Sequence, residues 1–275
     1  MRLLNSKIFL YSFLIINPET SQAQSIQWQK IDNGLFLTEV TSPLKSDFGD
    51  SKIIILRIDP KYYEFKLISA KEKNEPNITA KEWSKTRGLI AVVNAGMYQS
   101  RDNKTHVGYM RNYDFVNNGQ FSKDNTVIAF NRKDTAISEF QIIDLKCQNW
   151  EELKDKYNSY TQCIRMIDCN QNNTWSQQTK KFSMTIIAKD KSGNAMFIFT
   201  RSPYSVYDFI NILLSLPLNI YNAMFLEGGP EASFYFNYKG LEVEKFGSFE
   251  TGYQENDNVT VASEIPNIIG IVKKN

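Results

Sequence analysis

The stretch AMFLEGGPEASFYF, residues 223–236, runs an apolar segment from Ala223 to Leu226 into a single carboxylate, Glu227. Gly228, Gly229 and Pro230 follow, and then a second aromatic run begins. The pattern reads as a buried strand, a turn and a second strand. Glycine after a strand end lets the backbone turn with positive φ or lets another group approach closely. An acid that ends so apolar a run is expected to be buried or half-buried and to need a partner. IAVVNAGMY, residues 90–98, repeats this grammar: a buried strand, a polar residue (Asn94), small residues with Gly96, and then an aromatic. The shared grammar predicts that strands 89–93 and 220–226 lie in one sheet, with Asn94 and Glu227 at neighbouring ends.

Working outward, KIIILRIDP (52–60) is a β-branched run closed by Pro60, and YYEFKLIS (62–69) alternates as a half-buried strand does. TAKEWSKTRG (79–88) pairs Thr79 with Glu82 in a capping box and ends at Gly88, which predicts a short helix. Further strands are predicted at 107–112, 125–131, 140–145 and 162–168, and a helix at 149–160. FSMTIIAKDKSGNAMFIFT (182–200) is a hairpin with its turn at 191–194. SVYDFINILLSLP (205–217) places Tyr207, Ile210, Leu213 and Leu214 on one helical face, stopped by Pro217. Strands dominate, so the fold class is α/β (mixed α+β): a single domain on a large, mainly antiparallel sheet with a few flanking helices.

Residues 1–23 read as a secretory signal. Arg2 and Lys7 precede the apolar run 8–16, which at nine residues is too short to span a bilayer, and Ser21 and Ala23 have the spacing signal peptidase reads. The mature domain is then 24–275, exported to the periplasm or beyond, with no stable membrane span after cleavage. The chain carries +2, and the loss of Arg2, Lys7 and Glu19 leaves it near +1, with no basic excess for nucleic acid. Oligomeric state is left open. Cys147, Cys163 and Cys169 fit no zinc spacing. In an oxidising compartment one pair could form a disulfide, and the sequence does not choose which. His106 is the sole histidine.

VVNAGMY, HVGYM, QCIRMI, FTRSPYSVYDF, LPLNIYNAMFLEGGPEASFYF and the terminal IPNIIGIV occur in an order that resembles the bacterial branch of the phosphodiester glycosidase family, over roughly residues 50–273. A lysosomal member of that family removes N-acetylglucosamine from a mannose-6-phosphate diester. In that member the acidic turn looks like Leu-Asp-Gly-Gly, whereas here it is Leu-Glu-Gly-Gly, which moves the carboxylate by about one C–C bond, a shift that matters for catalytic placement. The resemblance implies hydrolysis of the glycosidic bond of a sugar-1-phosphodiester in a glycan or cell-envelope polymer. The alternative is a non-catalytic glycan-binding or envelope-biogenesis protein with the same fold. A phosphate monoester leaves easily, so the chemistry asks for a carboxylate at the sugar and cations at the phosphate. Glu227 fits the first role and Arg165 and Arg201 the second, since guanidinium grips two phosphate oxygens. Arg165 could instead pair with Glu227. Asn94, Gly96, His106, Gly228 and Gly229 are candidate substrate-binding residues, and Glu231 is a possible second acid that reads more as a surface residue. No cofactor is predicted; a divalent ion on the phosphate is left open, and no metal ligands are assigned.

Overall fold

The computed structural model describes residues 25–275, so the predicted signal segment lies outside the described residues. Its strands are β1 (Gln29–Asp32), β2 (Leu35–Thr41), β3 (Lys52–Ile58), β4 (Tyr63–Ser69), β5 (Ala91–Asn94), β6 (Met110–Asn112), β7 (Phe115–Asn118) and β8 (Thr126–Arg132). They continue with β9 (Phe140–Asp144), β10 (Tyr157–Ile167), β11 (Phe182–Asp190), β12 (Ala195–Tyr204), β13 (Ile220–Gly228), β14 (Ser233–Tyr238), β15 (Leu241–Phe246) and β16 (Asn267–Lys273). The helices are α1 (Ala70–Lys73), α2 (Ala80–Arg87), α3 (Trp150–Leu153) and α4 (Val206–Ser215). No helix among the described residues is long and apolar enough to cross a membrane.

The mainly antiparallel α/β class holds, but there are two sheets. An 11-stranded sheet has the path β1-β2-β3-β12-β11-β13-β10-β6-β7, with β8 and β9 branching from β10. A 5-stranded sheet has the order β15-β14-β5-β16-β4. The expectation of one shared sheet for strands 89–93 and 220–226 is therefore corrected: β5 belongs to the smaller sheet and β13 to the larger. The shared grammar specifies a buried strand and a turn, and both sheets offer a buried face for such a strand.

The sheets pack face to face. Met224, Leu226 and Phe197 of the large sheet meet Val93, Phe234 and Ile269 of the small one in a common core. The outer face of the large sheet is covered by α4, where Phe209, Ile210 and Leu213 pack on Ile186, Ile198 and Phe225. The outer face of the small sheet is covered by α2 through Trp83, which packs with Val92, Tyr235 and Ile268 and donates from Nε1 to the carbonyl of Ile265. The local signals behind both helices are present. Thr79 and Glu82 form the capping box of α2, and Gly88 ends it at φ +63°. Ser205 caps α4 by accepting from the Asp208 N–H.

The predicted helix 149–160 is also corrected. Only α3 is helical, and from Tyr157 the chain is strand β10, continuous with the strand expected at 162–168. Pairing of Tyr157–Cys163 with β8 and burial of the Tyr157 and Tyr160 rings override the helical propensity of the segment. Tyr160 secures the junction, its hydroxyl donating to the Leu153 carbonyl and accepting from the Tyr157 N–H, both at 2.8 Å.

Candidate active site

The Gly-Gly-Pro turn carries the chain from one sheet to the other. β13 ends in the large sheet at Gly228, a 3-10 turn spans Gly229–Glu231, and β14 opens in the small sheet at Ser233, paired with β5. Gly229 adopts φ +65°, the left-handed region that favours glycine. On β11 the register against β13 shifts between Thr185 and Ile186, opposite Phe225–Glu227. Such an irregularity re-aims side chains at a strand end. Glu227 lines a cleft of about 280 Å³ with Phe225, Phe182, Val206, Trp175 and Met97.

Asn94 braces this corner. Its Nδ2 donates to the Glu231 carbonyl at 2.9 Å, and its Oδ1 accepts from the Ser233 N–H at 2.8 Å. Asn94 thus ties the end of β5 to the backbone of the turn that follows Glu227, at the crossing between sheets. Gly96, at φ +121°, closes the same region: a Cβ there would collide with His106 Nε2 and Cys163 Sγ. His106 is completely buried behind it, its Nδ1 within 3.0 Å of the backbone of Gly108. Burial lowers its pKa to about 4, so it is a neutral packing residue with no surface for a substrate. Burial likewise pushes the Cys163 thiol well above its usual range, which makes it inert.

Glu227 is 8% exposed, and its carboxyl is pushed up to about 8. Burial is the main cause; the nearby carboxylates of Glu231 and Glu250 add to it, and the Gly228 N–H, donating to Oε1 at 3.1 Å, opposes it. Glu231 is half-buried and also raised, by burial and by the charge of Glu250. Glu250 is raised by burial and drawn back by Lys180, which lines the cleft beside it. Burial and the charges of Glu231 and Glu227 push the Tyr98 phenol up to about 12. Three carboxyl groups that resist ionisation therefore share one corner.

Sequence reasoning missed Glu250 and Lys180. Glu250 sits in GSFETGY (247–253), an acid between an aromatic and a glycine turn, the same grammar as Glu227 in another frame. Its position comes from pairing with the start of β11. The Ser183 N–H donates to the Phe249 carbonyl at 2.8 Å, and Ser183 Oγ accepts from the N–H groups of Ser248 and Phe249 at 3.0 and 3.1 Å.

The two arginines lie elsewhere. Arg201 does not line the cleft; it donates to Asp257 at 2.6 Å and to the carbonyls of Phe246 and Val259 at 2.9 and 2.8 Å, clamping the segment that carries Glu250. Arg165 does not pair with Glu227. Its Nη1 contacts both oxygens of fully buried Asp144 at 3.1 and 3.3 Å, beside the Cys147–Cys169 disulfide. It lines an adjoining depression separated from the cleft by Ile164 and Trp175. Among the described residues, Asp144, Cys147 and Cys169 are grouped closely enough to suggest a metal, but both sulfurs are committed to the disulfide.

The fold has solved counterparts. The catalytic domain of zebrafish N-acetylglucosamine-1-phosphodiester alpha-N-acetylglucosaminidase, auto-inhibited by its pro-peptide, superposes with a TM-score of 0.60 at 12% identity, covering 92% of this chain and 85% of that one. A hypothetical protein from Synechocystis superposes with a TM-score of 0.60 at 13% identity, covering 92% of this chain and 64% of that one. At these identities the likeness is one of fold. No curated protein sequence matches significantly. The sequence profile of the phosphodiester glycosidases matches residues 87–272, a span that runs from the end of α2 through both glycine motifs to β16, and the chain accordingly belongs to the phosphodiester glycosidase family.

Proposed function

We propose that this protein hydrolyses the glycosidic C1–O bond of a sugar-1-phosphodiester. The observation that carries the reading is Glu227: a buried carboxyl, raised to about 8, at the sheet-crossing corner of a cleft that also presents Glu250 and Lys180. A phosphodiester is an anion, and three ionised carboxylates would repel it. A Glu227 that holds its proton at neutral pH instead offers a donor to the departing phosphate oxygen, while Lys180 meets the phosphate charge. Glu250, raised by burial but drawn back toward ionisation by Lys180, faces the positive charge growing at C1 and takes the proton of the attacking water. The C1–O bond breaks, the water oxygen joins C1, and the proton from Glu227 leaves with the phosphate monoester. A cation that opposes the rise at Glu250 and is not among the influences on Glu227 divides acid and base roles between them, as a pair of carboxyl groups does in a glycosidase.

The sugar substrate lies in a glycan or cell-envelope polymer, and the protein works outside the cytoplasm. The predicted signal and the Cys147–Cys169 disulfide support export, since disulfides persist in oxidising compartments. The test is release of free sugar from sugar-1-phosphodiesters, the N-acetylglucosamine diester among them, by purified protein and its Glu227→Gln variant. Hydrolysis that falls in the variant supports the reading. Binding of sugar phosphates without any turnover would favour a glycan-binding protein instead.

A further inference from the structure

The cleft does not end at Trp175. Its indole and Ile164 form a ridge, and beyond it lies the second depression, about 360 Å³, floored by Arg165 and edged by Lys123, Asn125 and Ser176. The ridge is fixed: Trp175 Nε1 donates to the Arg165 carbonyl at 2.8 Å. The two basic residues that line the depression are not fully committed to partners. Arg165 commits Nη1 to Asp144, but its Nε is buried and meets no acceptor among the described residues. Lys123 is exposed and forms no ion pair among them. The one carboxylate on the rim, Asp124, accepts a hydrogen bond from Ser122. Two cations, the exposed Lys123 and the partly buried Arg165, therefore line a polar hollow immediately next to the carboxyl cleft.

A sugar-1-phosphodiester is linear: the sugar, then the phosphate, then the alcohol it esterifies. With the sugar at Glu227 and the phosphate at Lys180, an alcohol that continues over the ridge arrives in this hollow. We propose that the depression beyond Trp175 is a subsite for the alcohol side of the diester and that it holds a second phosphate on Lys123 and Arg165. The substrate is then a chain of phosphodiester-linked units, not an isolated diester. The proposal rests on the glycosidase reading for what fills the cleft, and goes beyond it in naming a polyanionic substrate. The neutral ridge, with Lys180 on one side and Lys123 on the other, suits an uncharged polyol or sugar lying between two phosphates.

The experiment is calorimetric titration of the full protein with a synthetic glycerol-phosphate tetramer, which carries repeated phosphodiesters and no sugar. The expected result is saturable 1:1 binding that Lys123→Glu weakens about tenfold, the scale of reversing one exposed ion pair. Lys156→Glu, the same charge reversal at an exposed lysine away from the hollow, leaves binding unchanged. No binding to the wild type, or equal weakening in both variants, overturns the subsite. Hydrolysis of short sugar-1-phosphodiesters without tetramer binding overturns the subsite and leaves the glycosidase standing. Lys123-dependent binding without hydrolysis of any sugar-1-phosphodiester upholds the subsite and overturns the glycosidase.

Discussion

Glu250 stands against the Cα of Gly229. A methyl group on that carbon would lie 2.5 Å from Oε2 of the glutamate and 3.2 Å from its Cβ. Two acids more than twenty residues apart in the chain, Glu227 and Glu250, are thus brought to one corner because the residue between their backbones has no side chain.

Gly229→Ala should separate stability from activity. At φ +65° the alanine carries left-handed strain of about 1–2 kcal/mol, and its methyl group also displaces Glu250. Gly240→Ala is the control, since Gly240 has φ +81° with nothing near its missing Cβ. Both variants should lose similar stability in chemical denaturation. Only Gly229→Ala should lose turnover, by about tenfold or more, the sensitivity expected when a catalytic group is misplaced. Equal activities would remove Glu250 from the mechanism.

Glu227→Gln should cost activity and add stability above neutrality. The folded-state pKa of about 8 lies above the unfolded value of 4.5, so the native state holds a proton that the unfolded state releases. Stability contributed by Glu227 is therefore unimpaired below pH 4.5 and declines as pH rises from there to about 8. The slope is about 1.4 kcal/mol per pH unit, reaching a few kcal/mol in all. Glutamine has no proton to release. Denaturation at pH 5 and pH 8 should show the wild type losing stability and the variant losing less, while turnover drops on the order of a hundredfold. A variant that is as active as the wild type reduces Glu227 to a turn residue.

The pH–rate profile should be bell-shaped. kcat/KM should fall above about pH 8 as Glu227 gives up its proton, and fall on the acid side as Glu250 gains one. Glu250→Gln should erase the acid limb. It should also move the alkaline limb to lower pH, because a like charge that raises Glu227 has gone. An alkaline limb that stays in place would mean the two carboxyl groups do not sense each other.

Much of this was legible before the fold was known, and the gaps have physical causes. The capping box at Thr79, the hairpin at 182–200 and the α4 cap are contacts within a few residues, so local spacing reveals them. Glu227 stood out because an acid at the end of an apolar run is costly without a reason. Which sheet each strand joins was not legible, since β5 and β13 present the same local pattern to different neighbours. The arginines drew notice by residue type alone, while their partners Asp144 and Asp257 are 21 and 56 residues away. Lys180 carries no local mark at all; it is made relevant by the fold that sets Glu250 beside it.

The disulfide should be worth about 3 kcal/mol, since Cys147 and Cys169 close a loop with a sequence separation of 22. Replacing both with serine should lower the free energy of unfolding, measured by chemical denaturation, by that amount. Alkylation of unreduced, denatured protein should modify Cys163 alone. Three reactive thiols would show the bond does not form.

Cys163 itself offers something different. It is sealed under Gly96 and beside His106, in the wall behind the sheet-crossing corner, and cannot react while that wall is closed. A thiol reagent applied to the native protein therefore keeps time for this wall. Its rate of labelling counts how often the covering of Gly96 and His106 opens, and a ligand seated against Glu227 would slow that clock without touching the sulfur.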